Sequence, residues 1–215
     1  MWHVEESAWK ARQVDQMLVR NHLSPTTICE VGCGAGEVLK SLQTLLPSDA
    51  TFRGYDISPQ ALELARSRAN ERLEFKLAEI GGEDCYFDLL LVLDVIEHLE
   101  DYFSFLASIR SKGTYKIFHF PLDLSVQTVI RRNGLLKVRT HYGHLHYFTK
   151  EIALRALEDA RYQVVDYFYT ARATELPTRQ LPRKLMNLPR RLLFAIHRDL
   201  AVKLLGGWSL LVLAR

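Results

Sequence analysis

The chain has 215 residues, 48% of them hydrophobic and 25% charged, with a formal net charge of +3 at pH 7. That is enough to bury one proper core but short for two independent domains, so residues 1–215 are read as a single domain. No run approaches the roughly 20 apolar residues of a membrane span, and Glu5 and Glu6 close behind Trp2 do not read as a secretory leader, so a cytoplasmic protein is expected.

The first 24 residues are expected to form a capping helix, Ser7 to Val19, with Trp9, Val14, Met17 and Leu18 on one face. Thr27, Ile28 and Val31 then suit a buried strand, and Val38, Leu39, Leu42, Leu45 and Leu46 recur at helical spacing until Pro47. Gly32, Gly34 and Gly36 therefore form a turn between strand and helix, where a ligand can approach the main chain closely. A second strand, Thr51 to Tyr55, ends in Asp56, with Ile57, Ser58 and Pro59 leading into another helix. An acid about 20 positions past a glycine turn is placed to accept hydrogen bonds from ribose hydroxyls.

Further strands are expected over Leu73 to Ala78, Phe87 to Leu93, Thr114 to Phe120, Val164 to Tyr169 and Ser209 to Leu213. Helices are expected over Tyr102 to Arg110 and from an N-cap at Thr149 through Ala160. Strands alternating with helices argue a parallel-dominated sheet with helices on both faces. Cys29, Cys33 and Cys85 are too few for a disulfide framework and read as reduced packing residues.

Two connections are long. Residues 121–148 read as a substrate loop at the carboxyl end of the sheet, mixing Arg131, Arg132, Lys137, Arg139, His141, Tyr142, His144, His146 and Tyr147, with a turn at Asn133 and Gly134. Residues 172–206 read as a basic amphipathic insertion before the last strand, a short helix or two interrupted by Pro177, Pro182 and Pro189. From Arg172 to Lys203 there are eight Lys or Arg and two acids, so this segment is near +6 and the remainder near −3. It can cover the sheet, face an anionic substrate or make peripheral membrane contact with anionic lipid.

The glycine turn follows E-x-G-x-G-x-G through Glu30, Gly32, Gly34 and Gly36; the last glycine falls one position early for the G-x-G-x-x-G of nicotinamide folds. With Asp56, the strand F-D-L-L-L-V-L and the segment D-V-I-E-H-L-E-D after it, the chain from about Pro25 onward resembles the class I S-adenosylmethionine (SAM)-dependent methyltransferases, of the ubiquinone-biosynthesis type with a type 11 or 12 methyltransferase domain. The resemblance implies an α/β, Rossmann-like seven-stranded sheet with helices on both faces and the last strand antiparallel. It implies SAM as cofactor and S-adenosyl-L-homocysteine as product, with Glu30, Gly32, Gly34 and Gly36 around the methionine moiety, Asp56 and Ile57 at the ribose and adenine, and Glu79 and Ile80 at the adenine edge.

For chemistry, His98 and His144 lead as base or orienter among Glu97, His98, His119, His144 and His146. Asp94, Glu97 and His98, read as beginning a helix, also resemble the acid-x-x-Glu-His metal site of ubiquinone-biosynthesis O-methyltransferases and small-RNA 3′-terminal 2′-O-methyltransferases, with His144 as a further ligand. Such a set suits a divalent metal, Mn²⁺, Fe²⁺ or Zn²⁺ more comfortably than Mg²⁺. The expected reaction is methyl transfer to oxygen of a small-molecule or glycan-type acceptor. The alternatives are metal-assisted methylation of an RNA 3′-end or a quinol precursor, or a noncatalytic SAM-binding partner or membrane-surface module. A pI of 8.7 does not compel nucleic-acid binding.

Overall fold

The computed structural model describes residues 4–176 and 181–215, with backbone only at 4, 5, 173, 174 and 181–186. Helix α1, Val4–Arg20, leads into β1, Thr27–Val31, and the alternation continues through α2, Glu37–Leu42, β2, Thr51–Asp56, α3, Pro59–Arg66, and β3, Leu73–Leu77. Then come β4, Phe87–Leu93, α4, Tyr102–Ile109, β5, Gly113–Pro121, α5, Val126–Ile130, and α6, Gly134–Tyr142. The chain closes with α7, Lys150–Asp159, β6, Val164–Thr170, α8, Arg172–Glu175, α9, Leu181–Ile196, α10, Arg198–Leu205, and β7, Ser209–Ala214.

The seven strands form one sheet in the order β3-β2-β1-β4-β5-β7-β6. All neighbours from β3 to β5 are parallel, whereas β7 runs antiparallel to both β5 and β6. The unbroken apolar runs of β4 and β7 follow from burial on both faces. On β4, Leu89, Leu91 and Leu93 meet α1 and α2 through Ala11, Val14, Met17, Val38, Leu39 and Leu42. Its Leu90 and Val92 meet the opposite core of Leu106, Ile109, Leu157, Ala201 and Trp208. In β7, Leu211 and Leu213 join the first layer while Leu210 and Val212 join the second.

Both long connections differ from expectation. Residues 121–148 are not an open loop but hold α5 and α6, and the expected turn at Asn133 and Gly134 is present, Gly134 N–H donating to the Arg131 carbonyl at 2.9 Å and Asn133, at φ 59°, forming the N-cap of α6. In the insertion, α9 runs straight through Pro189. What holds that part of it is packing: Phe194 stacks on Trp208, ring centroids 5.3 Å apart, and Arg190 donates to Gln127 Oε1 and to the Leu205 carbonyl. Pro177 lies outside the described residues. Among those residues no helix is long and apolar enough to cross a membrane.

Candidate functional site

Strand order reverses between β1 and β4, and a crevice outside the carboxyl ends of two such strands is where open α/β sheets take their ligands. The glycine turn stands there. Gly32 and Cys33 N–H groups donate to the Tyr55 carbonyl at 2.8 and 3.0 Å, and Gly34 N–H donates to Asp56 Oδ2 at 2.8 Å. The other oxygen of Asp56 accepts from Ser58 N–H, so one carboxylate ties the turn to the start of α3. Gly32 and Gly36 have φ of 70° and 78°, and a Cβ would lie 2.7 Å from Val95 Cγ2 at the first and collide with the Phe75 ring at the second. A side chain at either place would strain the backbone and force Val95 or Phe75 to move.

Glu30, at the end of β1, is 3% exposed, and its Oε2 has no hydrogen-bond partner among the described residues. Burial pushes this carboxyl up to about 8, with Lys10 opposing the rise and Asp56 adding to it. Ile57 is 69% exposed and Glu79 is exposed, both beyond the carboxyl ends of the neighbouring strands β2 and β3. The Ile80 side chain instead belongs to the core. Cys29 and Cys33 are buried and free, Cys33 packed with Leu62 and Ala65.

Helix α1 closes over this end of the sheet. Lys10 Nζ lies 2.6 Å from Asp94 Oδ2, His119 Nδ1 lies 2.5 Å from Asp94 Oδ1, and His119 Nε2 lies 2.9 Å from Thr170 Oγ1. Trp9 sets its ring edge against His119 and donates its indole N–H to Glu175. Burial would raise the Asp94 carboxyl, but His119 and Lys10 hold it well below the usual carboxylate range.

This network corrects the expected ligand set. Asp94 has φ 56°, and Ile96–His98 is a single 3-10 turn rather than the start of an α-helix, so the one-turn spacing from Asp94 to Glu97 and His98 does not arise. The Asp94 carboxylate is spent on Lys10 and His119. Glu97, His98 and His144 do converge, each offering a ligand atom within 4.8 Å of the others. Glu97 is fully buried, both its oxygens lack a hydrogen-bond partner among the described residues, and burial, with Asp94 adding to it, raises its carboxyl well above the ordinary value. Its backbone carbonyl accepts from Leu145 and His146 N–H, which brings the 143–148 segment against it.

His144 turns Nδ1 to Asp123 Oδ2 at 2.6 Å, and His98 turns Nδ1 to the Gly143 carbonyl at 3.3 Å, which leaves His98 Nε2 facing Glu97 Oε1 at 4.0 Å. The rings meet edge to face at 5.0 Å. Burial lowers the His98 pKa, with the Gly143 carbonyl opposing the shift and His144 adding to it. His146 bonds the Leu99 carbonyl through Nε2 and packs on Tyr102. Sequence reasoning missed Asp123 and Lys10. Asp123 follows directly after β5, the ligand-bearing end of a strand, but nothing in the order of residues gives the pairing of Lys10 with Asp94. Two surface clefts lie away from this end, one at the amino ends of β1, β4 and β5 around Pro25, Asp88 and Tyr115, the other between α4 and α7.

The fold is that of the class I SAM-dependent methyltransferases, built here with a turn and an acidic strand end at the switch point. Residues 29–112 match the methyltransferase-domain family model. Over 101 residues the chain is 33% identical to the mitochondrial ubiquinone biosynthesis O-methyltransferase of Schizosaccharomyces pombe, covering 43% of this chain and 36% of that enzyme. The chain thus spans about a third of the curated relative it matches. Among solved structures, magnesium protoporphyrin IX methyltransferase from Synechocystis PCC 6803 with bound S-adenosyl-L-homocysteine superposes with a TM-score of 0.63 at 17% identity, covering 96% of this chain and 81% of that one. The methyltransferase domain of bacterial CtHen1-C gives 0.62 at 17% identity, covering 96% of each chain.

Proposed function

We propose that this chain is a SAM-dependent methyltransferase that transfers a methyl group to an oxygen of a small-molecule or glycan-type acceptor beside a divalent ion. The observation that carries the cofactor half is Glu30: a buried carboxylate with an unpartnered oxygen, next to a turn stripped of side chains by three glycines. An unpaired buried carboxylate is costly, and a ligand bearing sulfonium and ammonium charges offsets that cost. Gly32, Gly34 and Gly36 admit the methionine portion, Asp56 and Ile57 take the ribose and adenine, and Glu79 with the main chain of Ile80 borders the adenine edge. The methyl on a sulfonium is already activated, so the protein's work is to align the acceptor and keep water out. Trp9 and Lys10 on α1 lie where they can shield that end of the crevice.

The residues present fit an ion. An orphaned, buried Glu97, a His98 held by the Gly143 carbonyl, and a His144 whose Nδ1 is oriented by Asp123 make the carboxylate-imidazole set with outer support that metal sites use. Two nitrogens with one oxygen favour Mn²⁺, Fe²⁺ or Zn²⁺ over Mg²⁺. A bound ion would lower the pKa of an acceptor hydroxyl. His98 and His144 orient the acceptor, and the name of the S. pombe relative supports oxygen as the receiving atom.

Calorimetry with S-adenosyl-L-homocysteine, run with Mn²⁺ and with EDTA, tests both halves. Micromolar binding of the nucleoside is expected, with Mn²⁺ binding that Glu97→Gln abolishes. A folded protein that binds neither SAM nor its product sinks the cofactor half. Nucleoside binding without any response to Mn²⁺, Fe²⁺ or Zn²⁺ removes the ion and leaves His98 and His144 as the acceptor's polar partners.

A further inference from the structure

Two stretches of the chain contain no acid. From Leu124 to Lys150 there are five Lys or Arg, and from Leu176 to Arg198 there are six, with no Asp or Glu in either. The fold brings the described residues of both to one end of the sheet, with Arg190, Arg191 and Arg198 the cations of the second stretch whose side chains are described. The first leaves the carboxyl end of β5 and the second leaves that of β6, while β7 begins at the same end, Ser209 pairing with both Pro121 and Thr170. They also touch: Arg190 of α9 donates to Gln127 of α5. The apolar side chains that point outward there are unusually large. On α5 and α6, Val129, Ile130 and Leu136 are 60%, 77% and 60% exposed. On α9, Asn187, Arg190, Leu193 and Phe194 are turned inward, whereas Leu188, Leu192 and Ile196, spaced four apart, are 66%, 59% and 82% exposed. The outward face of that half of α9 is therefore aliphatic, with exposed Arg191 at its edge and Arg198 just beyond.

We propose that α5, α6 and α9 form a face that rests on a bilayer of anionic lipids. An aliphatic stripe inserts among acyl chains while arginines and lysines beside it meet headgroup phosphates, a combination that peripheral amphipathic helices use. Charge complementarity selects this occupant, since no acid in either stretch opposes a negative surface. Apart from Tyr142 at the end of α6, the exposed apolar side chains are aliphatic, so they offer little for bases to stack on, and a nucleic acid is disfavoured. No helix among the described residues crosses a membrane, which makes the contact peripheral. On the methyltransferase reading this orientation bears on the acceptor: α6 runs through Gly143 straight into His144, so an amphiphile held in the bilayer would present its polar end beside the candidate site.

The test is flotation of the full chain with vesicles of phosphatidylcholine alone and of phosphatidylcholine with 30% (about one lipid in three) phosphatidylglycerol, at low and high salt. Binding is expected to the anionic vesicles, to weaken with salt, and to fall at least tenfold in a Leu192→Glu, Ile196→Glu double variant. That variant alters exposed positions, and its affinity for S-adenosyl-L-homocysteine is expected to equal that of the parent, which separates lost docking from lost folding. Equal binding to both vesicle types, no binding to either, or an unchanged double variant overturns the proposal. So does a dimer in sedimentation that the double variant splits, which would make a second copy the occupant. If vesicles bind but no SAM or product does, docking stands and the methyltransferase reading falls.

Discussion

At the scale of single residues, the buried carboxyls of Glu30 and Glu97 favour the proton in the ligand-free protein and give it up to a bound cation. Glu30 titrates near 8 when folded against an ordinary value of 4.5. A folded pKa above the unfolded one means the native state holds the extra proton between the two values. Its contribution to stability is fully present below about 4.5 and is lost as pH rises through 8. Thermal melts of the ligand-free protein are expected to fall across that window, and Glu30→Gln to flatten the dependence; an unchanged slope in the variant would show that another group sets it. A cationic cofactor reverses the sense, because it favours the ionised carboxylate. SAM affinity is then expected to rise by up to about tenfold per pH unit towards 8, with uptake of the released proton by buffer visible in the calorimetric heat. Glu97 shares this logic towards a metal ion, its carboxyl being raised by burial and by Asp94.

At the scale of elements, α7 shows how a local signal fixes a boundary. Thr149 Oγ1 accepts from Ile152 N–H, Glu151 occupies the first turn, and the helix then buries Ala153, Ala156 and Leu157. Removing the cap with Thr149→Ala is expected to cost ~1 kcal/mol, read as a lower denaturant midpoint at an unchanged slope. That helix was legible because its cap, its first-turn acid and its apolar spacing all agree, and the strands were legible because each apolar run is bounded by turn residues. The glycine turn and Asp56 were legible for the same reason, a motif compressed into one strand-turn-helix passage. Helices α5 and α6 were not, since their apolar positions remain largely exposed and leave no buried periodicity to read. The passage of α9 through Pro189 was hidden too, because it depends on contacts to Gln127, Leu205 and Trp208 that are remote or later in the chain. Asp94 misled for a backbone reason: its left-handed φ breaks the helical register that D-x-x-E-H evokes.

At the scale of the whole molecule, the layers on the two faces of the sheet share strands β1, β4, β5 and β7, so neither can come apart while leaving the other intact. Unfolding is therefore expected to be one cooperative transition, with far-ultraviolet dichroism and tryptophan fluorescence, reporting Trp9 on one side and Trp208 on the other, giving the same midpoint. Two separated midpoints would divide the chain into independent units. The antiparallel seat of β7 carries a different consequence. Because Thr170 and Ser209 pair with each other, the chain departs for residues 171–208 and returns at adjoining points, and the cost of closing such an excursion grows only slowly with its length. Strand pairing thus sets little limit on the length of what joins those two residues, although Ala201, Val202 and Trp208 of the segment still have to cover one face of the sheet. A segment that kept those three side chains could change elsewhere in length and charge, altering what this end of the molecule meets while the glycine turn and its acids stayed put.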